Sequence, residues 1–157
     1  MQLAEEKTAQ GHEEPFAVQF SVFLANRVGQ LAELLDLLAG KSIRPYGISV
    51  VDATDWTVIR MVCSDANKAR ETLKAGGLPF TESQVLLAEM RDEDTLREIC
   101  EHLLRAEINV HFAYPLAMRS HGCPVMAFHV EDHVLATRVL TRCGITLLGY
   151  EDLADPT

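Results

Sequence analysis

The second half of this chain repeats the first, and that repeat limits the possible folds more than any other feature. Leu31, Leu34, Leu35 and Leu38 recur at i, i+3, i+4 and i+7, the spacing of an α-helix buried along one face. Leu96, Ile99, Cys100 and Leu103 restate the stripe 65 residues later, and the register holds through Ile43 and Ile108. A second helix in each half matches Ala69, Thr72 and Leu73 with Ala136, Val139 and Leu140, now 67 residues apart. Gly77 and Gly144 keep that spacing, at the place where a helix ends on a left-handed residue. The increase of two residues falls in the second hairpin, where Ser120 and Gly122 are read as turn formers within Met118 to Pro124, against the shorter Ala53 to Trp56.

Strand patterns separate the helices. Phe16, Val18, Phe20, Val22 and Leu24 alternate with smaller or polar residues, the signature of a sheet packed on one face. Ile48 and Val50 open a second strand, Ile59, Met61 and Cys63 mark a third, and Ser64 or Asp65 caps the helix running to about Ala75. In the second half the spacing predicts a helix over about 93–105, strands near 109–117 and 125–130, a helix over about 132–142 and a last strand ending at Tyr150. The expected fold is α+β: two ferredoxin-like βαββαβ modules, with antiparallel sheets and helices on one face. They would span 16–83 and 84–157, with 80–90 either one shared strand or two short ones kinked near Ser83. The opposite sheet face mixes Val58 and Val62 with Arg60, Gln19 and Ser21, so partial cover by another copy or by the other module is expected, and with it a homodimer.

Composition excludes several function classes. A formal charge of −9 with no compensating Lys/Arg cluster argues against nucleic acid and anionic membranes. No apolar run approaches the roughly 18 residues that could span a bilayer. Residues 1–15 are polar and acidic without a basic, then apolar leader, and are expected to form a flexible tail of a cytoplasmic protein. Cys63, Cys100, Cys123 and Cys143 form no C-x-x-C pair and read as buried small hydrophobes in a reducing compartment. His129 and His133 straddle a strand end and a helix start, and His121 and His111 lie elsewhere, so no metal site or cofactor is expected. No nucleophile elbow or phosphate loop occurs, and the acids Asp92, Glu93 and Asp94 fit negative charge at a helix start.

In order and repetition the pattern resembles the ACT domain, a ligand-binding βαββαβ module, in its free-standing tandem form. The carrying residues are Asn26-Arg27-Val28-Gly29-Gln30-Leu31 after the first strand, Ser42-Ile43 at the first helix exit, and Ile59 to Asp65 entering the second helix. The resemblance implies a non-catalytic regulator of amino-acid metabolism, holding an effector amino acid between modules. An alternative it suggests is a regulatory subunit of a biosynthetic enzyme such as acetolactate synthase; another is a ligand-free association module. It implies ligand contacts from Asn26, Arg27, Val28, Gly29 and Gln30, and from the position after a neighbouring first helix, which is Arg44 in one half and Asn109 in the other. Each also has an ordinary reading: Asn26 and Gly29 as turn residues, Asn109 as a helix exit and Arg44 as a solvated surface charge. The second loop, Arg91-Asp92-Glu93-Asp94, lacks the glycine and places three acids where a carboxylate would bind, so one site is expected, assembled from the first-half loop and Asn109 of the second half.

Overall fold

The computed structural model describes residues 16–154, so the expected tail lies outside the described residues. The chain divides into two compact units, Val18–Ser83 and Gln84 onward, the latter including the start of the first strand up to Ala17.

The first unit contains β1 (Phe16–Ala25), α1 (Gln30–Ala39), β2 (Pro45–Asp52), β3 (Trp56–Cys63), α2 (Ala66–Ala75) and the opening of β4 (Phe80–Glu89). β3 pairs antiparallel with β1 and β2, and β4 pairs with β1, giving the order β4-β1-β3-β2. Phe20, Val22 and Leu24 of β1 meet Leu34 and Leu38 of α1 and Leu73 of α2 in one core, completed by Ile59, Met61 and Cys63. The alternation in the strands and the helical stripe point at each other, which is why these segments fold as they do.

The second unit repeats the plan with α3 (Thr95–Arg105), β5 (Val110–Ser120), β6 (Cys123–Val130), α4 (His133–Arg142), β7 (Leu147–Leu148) and α5 (Tyr150–Ala154). β6 pairs antiparallel with β4 and β5, and β4 pairs with β7, the corresponding order β7-β4-β6-β5. Its core places Ile99, Leu103 and Leu140 where the first unit has Leu34, Leu38 and Leu73. Leu31 and Leu96 likewise fall on corresponding helices, α1 and α3.

Helix ends carry the repeat into backbone detail. Asp65 accepts a hydrogen bond from the Lys68 N–H and Asp132 from the Leu135 N–H, both at 3.0 Å, so Asp65 rather than Ser64 is the cap. Ile43 and Ile108 reach back to the carbonyls of Leu38 and Leu103, across the left-handed residues Ser42 and Glu107.

Of the two alternatives for 80–90, the structure has one continuous strand over 80–89, which pairs with β6 through Leu86–Glu89 and also with β1. Three expectations need correction. The second hairpin closes on a two-residue turn, His121-Gly122, both left-handed, and its extra length sits in the 11-residue β5 against the 8-residue β2. Ser120 is therefore a buried strand residue and not a turn former. The last strand stops at Leu148, and Tyr150 begins α5, because buried Asp152 reaches back to the Gly149 N–H at 2.8 Å and caps a helix there. Of the cysteines, Cys63 alone is buried; Cys123 is intermediate, and Cys143 and Cys100 are exposed, so the α3 stripe buries Ile99 and Leu103 but leaves Cys100 and Leu96 at its exposed margin. Burial pushes the Cys63 thiol up to about 12. No helix among the described residues is long and apolar enough to cross a membrane.

Candidate functional site

The turn from β1 into α1 is exposed from Ala25 to Gly29. Its backbone bends at Asn26, the Arg27 N–H bonds the Ala25 carbonyl at 2.9 Å, and Gly29 caps the helix with φ +88°. That left-handed angle is what calls for glycine here; a Cβ at Gly29 would meet nothing within 4 Å, so close packing inside the chain is not the reason. A glycine cap has no side chain to offer the first-turn N–H groups, and α1 starts without a side-chain cap.

Two adjacent cavities open on either side of this turn. One, of about 440 Å³, lies between the sheet residues Leu24, Thr57 and Ile59 and the α1 residues Leu31, Ala32 and Leu35, with Arg27, Gly29 and Gln30 at its rim. The other, of about 330 Å³, runs between Leu34 and Leu37 of α1 and the exit of α2 at Gly76 and Leu78. Leu24, Arg27 and Gln30 line both, and Glu33 lines the second. Arg27 grips Glu33 through two hydrogen bonds, of 3.0 and 3.3 Å, and Gln30 donates to the same carboxylate at 3.3 Å. Both partners are more than half exposed, at 57% and 60%.

Three of the expected residues, Arg27, Gly29 and Gln30, thus share one cavity. Asn26 and Val28 are exposed on the turn itself, Val28 at 99%. Arg44 does not line either cavity: its guanidinium stacks over Tyr46, 5.9 Å from the ring centroid, and its backbone exchanges hydrogen bonds with Ser64. Asn109 belongs to the other unit, exposed just before β5, where its carbonyl accepts from the Glu131 N–H at 3.0 Å. Sequence reasoning missed Glu33, and also Thr57 and Ile59 of the facing strand. An acid one turn into a helix, just after an arginine on the entering loop, was the available signal.

The corresponding turn of the second unit is built differently. The Asp92 carboxylate accepts from the N–H groups of Asp94 and Thr95 at 2.9 and 3.0 Å and from the Thr95 hydroxyl at 3.0 Å. The chain's own carboxylate therefore occupies the start of α3, where the first unit has a bare glycine. Asp94 itself pairs with Arg97 on the helix surface.

Elsewhere in the second unit, Glu89 is nearly buried at the end of β4. It accepts from the Ser120 hydroxyl at 3.0 Å and meets the His121 Nδ1 at 2.6 Å. The hydrogen bond and charge of Glu89, with a smaller contribution from Asp152, hold the His121 imidazole above its ordinary value. Rings of Phe112 and His129 stack at 4.8 Å and those of His111 and His129 lie 5.3 Å apart.

A family model described as an ACT domain pair matches residues 16–155. No curated protein matches the chain. Among solved structures, a protein from Bacteroides thetaiotaomicron is similar with a TM-score of 0.78 and 22% identity, over 88% of this chain and 95% of that one. The ligand-free regulatory subunit of aspartate kinase from Thermus thermophilus is similar with a TM-score of 0.56 and 13% identity, over 81% of this chain and 91% of its own. The corresponding subunit from Thermus flavus gives 0.54 and 13%, over 82% and 92%. At these identities the likeness concerns the fold.

Proposed function

The chain belongs to the ACT domain-pair family, a family of regulatory modules, and from that premise we propose that it is a non-catalytic regulator that binds a free amino acid at the turn entering α1. The observation that carries this reading is the cavity of about 440 Å³ beside Gly29, within the size range of small-molecule sites and mostly apolar with a few polar groups at its rim. Asn26 and Val28 flank the entrance on the exposed turn, and Arg27, Gly29 and Gln30 form its lip. The occupied start of α3 supports one site per chain, in the first unit. Both units act, in this reading, as ferredoxin-like modules bounded at 16–83 and 84–157, and the protein works in the cytoplasm.

Amino-acid binding acts by favouring one shape or assembly over another, in proportion to its differential affinity for the two states. Exposed Ile48, Val50, Val51 and Trp56 on the β2–β3 hairpin supply an apolar surface for a homodimer or a metabolic-enzyme partner. The aspartate kinase subunits named above are regulatory subunits, and this chain is proposed to play that kind of part for a partner enzyme; acetolactate synthase is one candidate.

Thermal unfolding with each of the twenty amino acids tests the proposal. A ligand at about 100 times its dissociation constant should stabilise the protein by roughly 2.7 kcal/mol, and one amino acid or a small related group should stand out. A melting temperature unmoved by all twenty would sink it.

A further inference from the structure

We infer that the Arg27–Glu33 ion pair opens to clamp the two charged ends of an amino acid, and that the site takes amino acids with uncharged, apolar side chains. This inference rests on the proposed amino-acid site and specifies what that site recognises.

The chemistry of the pair matches the ligand. A guanidinium in bidentate contact with a carboxylate is already in the geometry needed for an α-carboxylate, and Glu33 is the natural acceptor for an α-ammonium. With both groups more than half exposed, the existing pair contributes little and opens at small cost. Exchange leaves the charge count unchanged: one ion pair within the protein becomes two between protein and ligand. Arg27 borders both cavities and Glu33 the smaller one, so the clamp lies where the two cavities adjoin, at Leu24, Arg27 and Gln30.

The side-chain compartment selects against charge. Beyond the rim the larger cavity is lined by Leu24, Leu31, Leu35 and Ile59, with Ala32 small enough to leave room and the Thr57 side chain as a polar exception. A lysine or aspartate side chain entering there would lose its water without meeting a partner of opposite charge. A leucine, isoleucine or phenylalanine side chain would displace water from apolar walls. Because Arg27 and Glu33 cancel, the rim favours a zwitterionic head over a net anion or cation.

Calorimetric titration of the whole chain separates these claims. Wild type should bind L-leucine, L-isoleucine or L-phenylalanine about tenfold or more tightly than L-lysine, L-threonine or L-aspartate. Arg27→Ala should weaken the best of these by about tenfold or more without weakening L-leucinamide, which has no carboxylate for Arg27 to hold. Glu33→Gln should weaken the same amino acid comparably without weakening 4-methylpentanoate, which has no ammonium. Both side chains are exposed, so neither change should shift the melting temperature of the free protein, which serves as the control for folding. Wild-type affinity in both variants, or a charged amino acid bound as tightly as the apolar ones, overturns the clamp while leaving the amino-acid site standing. A wild type that binds none of the twenty amino acids overturns the site and the clamp together.

Discussion

At Gly29 the backbone itself calls for glycine: φ stands at +88°, and the space around the absent Cβ is open. Alanine there is strained by its backbone and not by a clash. Gly29→Ala should therefore cost about 1 kcal/mol of stability, the usual penalty for a non-glycine residue in the left-handed region. Chemical denaturation would report it, and a neutral or stabilising result would mean that the turn relaxes to another conformation. Gly29→Leu carries the same strain as well as added bulk, so loss of ligand in that variant would not by itself locate the site. The clamp residues are the cleaner probes, because their side chains reach solvent and their backbones are ordinary.

At the scale of elements, the β5–β6 turn is fastened to β4 through a titratable group. His121 stands in the left-handed region at the hairpin tip, and its ring meets the nearly buried Glu89 carboxylate, with Ser120 on the same oxygen and Asp152 contributing charge. Because the folded imidazole is held above its ordinary value of about 6.5, the stabilisation is fully present below that pH and fades as pH rises through the raised value. Melting temperature should therefore fall on going from about pH 6 to pH 8, and the fall should be smaller in His121→Gln. Identical pH slopes in the two proteins would show that the contact carries no linkage. The same elements mark where sequence reading works and where it stops. Helices were legible because three or four apolar residues at fixed spacing name both the element and its buried face, and Leu34, Leu38, Ile99 and Leu103 lie in the cores as that spacing requires. Left-handed exits at Ser42 and Glu107 were not, since neither residue type announces that backbone. Nor was the short β7, whose length is set by Asp152 capping the following helix from three residues downstream. Of the candidate site, the turn was legible from Asn26 and Gly29, whereas the cavity's far wall, Thr57 and Ile59, depends on which strand lies beside β1, a pairing that local pattern does not specify.

For the molecule as a whole, the two copies of the repeat differ at their helix starts. One unit keeps a bare glycine before α1, and the other fills the same place with its own Asp92. The two are joined without a spacer: β4 pairs with β1 near one end and with β6 and β7 near the other, and the boundary at Ser83 falls inside it. Native proteases act on exposed loop tips and spare hydrogen-bonded strands. Brief subtilisin digestion of the folded chain should therefore yield no early pair of fragments meeting near Ser83; such a pair, seen by mass spectrometry, would mean that β4 opens there. For anyone wishing to graft this fold onto another protein, the transferable part is accordingly the complete pair, since a half cut out at its boundary would carry away a broken strand.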